Sequence, residues 1–143
     1  MTINWAFIGK AMGVYVALPA VAVFNGVMRD AVMLPALGPL VAKWLGTATG
    51  IALVYLAMAF GLRVLREPRG SADLWLLGAI WMALTVGVEI AIGALLGMSA
   101  AEQGAAYRIW EGRAWPLMLA AMLVGPRLVG ARPGQAGAKA TAS

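Results

Sequence analysis

Long stretches without charge are the feature that most limits what this chain can fold into. Charged side chains are absent from Ala11–Met28 and from Trp44–Leu62, and Leu74–Met98 contains only one, Glu89. A helix needs about 20 mostly apolar residues to cross the roughly 30 Å hydrocarbon core of a bilayer. These stretches therefore predict three transmembrane helices, the first of which can begin as early as Asn4.

A fourth span is predicted from a shorter run. The 13 residues of Ala114–Pro126 carry no charge, which corresponds to about 20 Å of helix. To cross a bilayer, this helix has to extend through Ile109–Trp110 on one side and Leu128–Val129 on the other. Arg113 and Arg127 are then expected to reach the two membrane surfaces with their long side chains.

The composition agrees with lipid as the solvent for most of the chain. Of its 143 residues, 62% are hydrophobic and 12% are charged, about half the charged fraction of a soluble domain. We therefore expect an all-α integral membrane protein, with a four-transmembrane-helix bundle over residues 1–130. Residues 131–143 include five alanines and two glycines, and we expect a disordered C-terminal tail there.

The connection between the first two spans is apolar but contains helix breakers. Ala31–Ala42 includes Pro35, Gly38 and Pro39, and 12 residues are too few to span a bilayer. Because proline and glycine interrupt helices, we expect an interfacial or shallow re-entrant loop here. Such a loop has to bury its backbone against the neighbouring helices.

The connection before the fourth span contains a helix start signal. Ser99-x-x-Glu102 matches a capping box, in which each side chain accepts a hydrogen bond from the other residue's backbone. This pattern predicts a surface helix over Ala100–Gly112. The helix is expected to lie on the membrane face opposite the two termini.

Basic residues in the short loops predict the orientation, because cytoplasmic loops of membrane proteins are enriched in Lys and Arg. The predicted side of the termini carries six basic residues besides Lys10: Arg63, Arg66, Arg69, Arg127, Arg132 and Lys139. The opposite side carries four: Arg29, Lys43, Arg108 and Arg113. We therefore expect both termini in the cytoplasm. Anchoring on anionic head groups accounts for the three arginines of the middle loop.

Small residues recur along the predicted helices at spacings of three or four. In lipid, such residues let helix backbones approach closely. The packing positions predicted from this pattern are Gly9, Gly13, Gly46, Gly50, Gly93 and Gly97. The stripes can serve packing within one bundle or a homodimer face, and the sequence leaves both possibilities open.

Glu89 is the single acidic residue deep inside a predicted span. An ionised acid there costs about 2.5–3.5 kcal/mol on insertion scales unless it is protonated, paired or hydrated. The topology predicts a polar cluster at the same end of the bundle: Glu89, Arg29, Asp30, Asn25, Glu111 and Arg113. Pairing of Glu89 with Arg29 or Arg113 would fix the bundle register. Alternatively, Glu89 binds a proton, a cation or a polar substrate.

The chain contains no histidine and no cysteine. Their absence excludes the usual zinc sites, thiolate iron–sulfur clusters, bis-histidine haem and catalytic groups based on Ser-His-Asp or Cys-His. No phosphate-binding glycine motif follows a strand pattern, and the basic residues form no patch typical of nucleic-acid binding. We therefore predict no metal, no cofactor, no nucleic-acid partner and no enzymatic activity.

Several short motifs occur together along the chain. They are Asn25-Gly26-x-x-Arg29-Asp30, Pro35-x-Leu37-Gly38, Gly46-Thr47, the lone Glu89, and Gly112-Arg113-x-Trp115-Pro116-Leu117. As a set, they resemble a family of small four-span bacterial inner-membrane proteins that has no assigned biochemical activity. The resemblance covers about residues 10 to 128 and implies fold and location, but it transfers no catalytic residue.

This chain departs from the pattern of that family at two positions. Arg29-Asp30 stands where the pattern has an Arg-Glu pair, and Lys43 or its neighbour stands where relatives carry histidine. The loss of the histidine argues against a metal role at that position.

Two functions fit these observations. The first is a small multi-pass inner-membrane protein without catalytic activity, acting as an accessory or assembly subunit of a membrane complex. The second is a dimeric proton- or cation-coupled small-molecule transporter or channel that uses Glu89. An enzyme acting on lipid fits least, because the chain has six acidic residues in all and no recognisable nucleophile arrangement. The expected partners are the lipid bilayer and a second copy or a larger complex.

Overall fold

A computed structural model describes residues 2–105, 107 and 115–130, and every regular element in these ranges is helical. The elements are α1 (Trp5–Met28), a π-helical turn (Arg29–Met33), α2 (Leu34–Val64), α3 (Ser71–Leu95), α4 (Ala100–Ala105) and α5 (Trp115–Gly130). Two continuous helical stretches, Trp5–Val64 and Ser71–Leu95, are long and apolar enough to cross a membrane, and α5 is a shorter apolar helix.

The expectation of an irregular loop, interfacial or shallow re-entrant, over residues 31–42 is wrong in its secondary structure. The segment is helical except at Gly38, whose φ of 77° and ψ of 168° reverse the chain. Pro35 is the second residue after the π-helical turn Arg29–Met33, within a helical stretch that is continuous with α1. This departure from α-helical hydrogen bonding accommodates a residue that has no N–H to donate and whose ring crowds the preceding turn. Pro39 directly follows the break, where it can begin the next helical segment. A local sequence rule identified the breakers but placed the interruption over too many residues.

The segments on either side of Gly38 pack antiparallel. A Cβ atom added to Gly46 would meet the Arg29 side chain, and one added to Gly61 would meet Val14. Positions that rise in number along α2 therefore face positions that fall along α1. The first two helices form a long hairpin with Gly38 at its tip.

The α5 helix completes a four-helix arrangement. It runs parallel to α2, because Gly50 faces Met118 and Gly125 faces Met58. It runs antiparallel to α3, because Gly78 contacts the backbone of Leu123 while Gly130 faces the earlier α3 residue Leu74. Together, α1, α2, α3 and α5 alternate in direction along the chain.

The buried core lies towards one end of this bundle. Its largest fully buried side chains are Trp81, Phe7, Leu18, Met58, Leu62, Leu74 and Leu77. Hydrogen bonds from Asn4 to Asp73 and between Tyr15 and Thr85 join α1 to α3, which therefore run parallel. The Tyr15 and Trp81 rings have their centroids 6.2 Å apart. The opposite end, near Gly38 and the C-terminal end of α3, is more open.

The sequence predicted that Arg69 anchors the chain on lipid head groups, and this prediction is wrong. Its side chain is only 5% exposed and donates hydrogen bonds to the carbonyl oxygens of Leu62, Leu65 and Gly130. The guanidinium carbon also lies 5.5 Å from the centre of the Phe7 ring. The sequence pattern missed this role because the acceptors are the backbone ends of α2 and α5, which carry no side-chain signature.

The predicted capping box is confirmed. The backbone N–H and the hydroxyl of Ser99 both donate to Glu102, at 2.7 and 2.8 Å, and the Glu102 N–H donates to the Ser99 hydroxyl. The described helix ends at Ala105. The predicted continuation to Gly112 and the predicted tail over residues 131–143 lie outside the described residues, apart from Tyr107.

Candidate functional site

The α4 helix folds back along α3 and forms one side of the site. Gly97, with φ of +73°, ends α3, and the N–H groups of Met98 and Gly97 donate to the carbonyls of Gly93 and Ala94. This pattern is a Schellman cap, which favours glycine because other residues are strained at positive φ. The reversal places α4 antiparallel to the last turns of α3.

Two contacts in matching register join α4 and the residues after it to α3. The Gln103 side chain lies over Gly93, where an added Cβ would approach it to 2.6 Å. Four residues later, the Tyr107 hydroxyl donates a hydrogen bond of 2.6 Å to the Glu89 carboxylate, four residues earlier on α3. Because a spacing of four keeps side chains on one helix face, Gly93 and Glu89 present one continuous surface to the returning chain.

Glu89 is partly buried and lies beside a cavity of about 420 Å³. The cavity opens between α1, α3, α4 and the start of α5. Its wall includes six apolar residues besides Pro19 and Gly93: Ala22, Val23, Val88, Ile92, Met98 and Trp115. Its polar lining comes from Tyr15, Thr85, Glu89, Glu102 and Gln103. The site is therefore a mostly apolar space with a carboxylate at its edge.

A second, smaller cavity of about 350 Å³ lies on the other side of the Glu89 side chain. Val86, Ile90, Ala100, Gly104 and Tyr107 line it together with Glu89 and Gln103. Glu89 thus stands between two spaces, with Tyr107 reaching its carboxylate from the side of the smaller one.

The structure places Asn25, Arg29 and Asp30 at a different location, on the seam between α1 and α2. Arg29 donates to Asp30 at 2.8 Å. Asn25 donates to the carbonyl of Gly46 at 2.8 Å and accepts a hydrogen bond from Thr49. No hydrogen bond or ion pair between described residues joins this group to Glu89.

The alternative pairing of Glu89 with Arg113 stays a prediction, because Arg113 and Glu111 lie outside the described residues. Within the described part of the chain, the ion pairs are Lys10 with Glu67 and Arg29 with Asp30. Glu89 therefore has no cationic partner among the described residues.

The predicted packing glycines have different surroundings. Gly46 and Gly50 receive the side chains of Arg29 and Asn25. Gly9 and Gly13 have no atom within 4 Å of an added Cβ. Among the glycines of the described residues, Gly78 has the tightest surroundings, because an added Cβ would overlap the carbonyl oxygen of Leu123.

Electrostatics favours Tyr107 as a neutral donor to Glu89. Burial, and then the hydrogen bond to Glu89, raise the pKa of the Tyr107 phenol above its usual value. Hydrogen bonds from Ser99 lower the pKa of Glu102, with the backbone N–H as the larger cause. Both carboxylates line the cavity, and Glu102 differs from Glu89 in having its charge stabilised by the start of α4.

Tyr107 and Gln103 were not among the residues predicted for the site. Gln103 and Tyr107 are four residues apart, as are Glu89 and Gly93, and this equal spacing could have indicated that the two pairs face each other. It becomes informative only with the reversal at Gly97, which brings the two segments together.

The described residues contain no group of three or more acidic side chains, histidines or cysteines that could hold a metal ion. Chemically, the site offers the carboxylates of Glu89 and Glu102, the phenols of Tyr15 and Tyr107, and a mostly apolar space. A comparison with known protein families, curated proteins and solved structures found no match to this chain.

Proposed function

We propose that this chain is a small four-span membrane protein without catalytic activity, acting as an accessory or assembly subunit of a membrane complex. Its helices expose large apolar side chains, such as Leu95 at 86% and Phe60 at 73%. Only 22% of the most apolar window in each long helical stretch is buried. Soluble monomers rarely expose such extensive apolar surface, which supports lipid as the surroundings of α1, α2, α3 and α5.

The observation that carries the subunit role is the unfilled stripe on α1. A Cβ added to Gly9 or Gly13 would meet no atom of the described residues within 4 Å, and the exposed Ala17 and Ala20 continue the same spacing along α1. Other glycines, such as Gly78, lie directly against a neighbouring helix of the same chain. Small-xxx-small stripes bring transmembrane helices together. The free stripe therefore supports a partner helix from a second copy or another protein.

The test is purification in a mild detergent followed by native mass spectrometry. We expect the wild-type chain to copurify in a complex and Gly13→Leu to release it, because leucine prevents close approach of a partner helix. Gly87→Leu is the matched control, since Gly87 is also exposed on a helix and has no neighbour within 4 Å. A monomeric wild-type protein, or a Gly13→Leu variant that keeps its partner, would contradict the proposal.

The orientation we propose places both termini in the cytoplasm of a bacterial inner membrane. With Arg69 buried, the remaining basic residues on that side are Lys10, Arg63, Arg66, Arg127, Arg132 and Lys139. They still outnumber the four on the other side, which supports this orientation. The resemblance to small four-span bacterial membrane proteins belongs to the same proposal.

The cavity beside Glu89 favours a second candidate function, a dimeric transporter or channel coupled to protons or cations. An acid within a membrane-spanning helix is a functional candidate, and Glu89 has no cationic partner among the described residues. The test is flux of a cationic dye or protons through liposomes containing the purified chain. We expect flux in the wild type and its loss in Glu89→Gln; flux that survives the substitution, or wild-type liposomes that carry none, would reject this candidate.

A further inference from the structure

We propose that the larger cavity binds an organic monocation with an apolar body, whose ammonium group pairs with Glu89. The inference shares with the second candidate function the premise that Glu89 is open to a ligand. It requires neither transport nor the subunit role. The argument comes from the hydrogen bonds, volume and lining of the cavity.

The polar groups of the cavity differ in how far their hydrogen-bonding capacity is used. The Thr85 hydroxyl donates to the Trp81 carbonyl and contacts the Tyr15 hydroxyl. Glu102 is engaged by Ser99 at the start of α4. Glu89 accepts one hydrogen bond among the described residues, from Tyr107 to a single oxygen. A carboxylate offers about four acceptor sites, so Glu89 retains most of its capacity.

The acceptor sites that remain on the Glu89 carboxylate suit a positively charged hydrogen-bond donor. Tyr107 donates its only proton to Glu89, and the pKa of its phenol is raised by burial and by that bond. The described surroundings of Glu89 supply no lysine or arginine. In a space of low dielectric, an ammonium group that donates to the second carboxylate oxygen of Glu89 supplies a positive charge and a charge-assisted hydrogen bond, which no lysine or arginine among the described residues supplies.

The residues that line the cavity determine the chemistry of the part of the ligand that lies away from Glu89. Val23, Val88, Ile92 and Met98 offer aliphatic contacts, and Trp115 adds an aromatic ring. A volume of about 420 Å³ falls within the roughly 300–1,000 Å³ typical of small-molecule pockets. It is far larger than a metal ion or a few waters require. The fitting class is therefore an alkyl or arylalkyl amine of small-molecule size.

The experiment measures binding of radiolabelled 4-phenylbutylamine to the purified full chain in nanodiscs by equilibrium dialysis. We expect saturable binding of one amine per chain, and binding weaker by about tenfold or more in Glu89→Gln, because a hydrogen bond to a charged group contributes about 1.5–3 kcal/mol. The neutral analogue 4-phenylbutan-1-ol should compete at least about tenfold more weakly than the amine for the same reason.

Two further variants locate the site. Glu67→Gln changes a carboxylate that lines neither cavity and pairs with Lys10, and should leave affinity within about threefold. Ala22→Phe fills the cavity without changing charge and should abolish binding, even if Glu89→Gln fails to fold. Absence of saturable binding, equal binding by Glu89→Gln, loss of binding in Glu67→Gln alone, or unchanged binding in a folded Ala22→Phe would each overturn the inference. Binding without flux would retain it and reject the transporter.

Discussion

Arg69 shows how one side chain can hold two helix ends together. The last carbonyls of a helix have no partner within that helix. A cation near a helix C-terminus is favoured by the helix dipole and by direct hydrogen bonds. Arg69 donates to Leu62 near the end of α2 and to Gly130 at the end of α5. Its planar, five-donor guanidinium can serve both at once, which a lysine ammonium cannot do in the same geometry.

We therefore expect Arg69→Lys to lower the free energy of unfolding by about 2 kcal/mol, because hydrogen bonds to charged groups contribute about 1.5–3 kcal/mol and at least one would be lost at a buried site. The measurement is unfolding in mixed micelles followed by circular dichroism. Arg66→Lys is the matched control, since Arg66 is exposed three residues earlier. Equal stability of the two variants would show that the Arg69 hydrogen bonds contribute nothing measurable.

At the scale of elements, Gly78 determines how closely α3 approaches α5. An added Cβ would overlap the backbone carbonyl of Leu123, and a backbone atom cannot rotate away as a side chain can. We expect Gly78→Ala to destabilise the bundle by about 1–3 kcal/mol through overpacking. Gly87→Ala on the same helix has open space and should be neutral or gain up to about 1 kcal/mol in helix propensity. Thermal unfolding of both variants tests this, and a Gly78→Ala variant as stable as the control would contradict it.

Gly97 determines the return of α4 towards α3. Its φ of +73° costs a residue with a Cβ about 1–2 kcal/mol. We expect Gly97→Ala to accelerate hydrogen exchange in Ala100–Ala105, because those amides depend on the reversal. Gly104→Ala lies within α4, has no neighbour within 4 Å and should slow exchange or leave it unchanged. Unaltered exchange in Gly97→Ala would show that the reversal does not depend on glycine.

Sequence pattern was a good guide to the helices and a poor one to their junctions. The uncharged run Trp44–Leu62 lies inside α2, and Leu74–Met98 differs from α3 mainly where Gly97 ends the helix. The Ser99 capping box was readable because it is a local pattern. The segment around Gly38 was misread, because a proline can interrupt a helix or lie at the start of one, and the sequence does not distinguish the two cases.

The polar site was only partly readable for a different reason. Glu89 stood out because acids are rare in apolar spans. Its neighbours depend on how segments fold over one another, which spacing alone does not reveal. Arg29 is engaged with Asp30 beside Gly46, whereas Tyr107 reaches Glu89 through the turn at Gly97. Charge complementarity along the sequence favoured Arg29 or Arg113 as the partner. Arg29 pairs with Asp30 instead, Arg113 lies outside the described residues, and the partner of Glu89 among the described residues is the Tyr107 phenol.

At the scale of the whole molecule, the two ends of the bundle differ. One end holds the buried core around Trp81 and Met58 and the Arg69 hydrogen bonds. The other holds Glu89 and two cavities. The well-packed end provides a rigid base, and the open end provides space for a ligand or for a partner's side chains. This division is consistent with both proposed functions, which use different surfaces of the chain.

The central proposal, that four helices cross a membrane in alternating directions, is tested most directly by cysteine labelling. The chain contains no cysteine, so each introduced residue reports alone. In intact cells and inverted vesicles, we expect Ser71→Cys to react with an impermeant maleimide only from the cytoplasmic face and Ala101→Cys only from the opposite face. Leu56→Cys, whose position on α2 is 66% exposed in the bundle, should stay unreactive until the membrane is dissolved. Labelling of the first two from the same face, or of Leu56→Cys in intact membranes, would contradict the account.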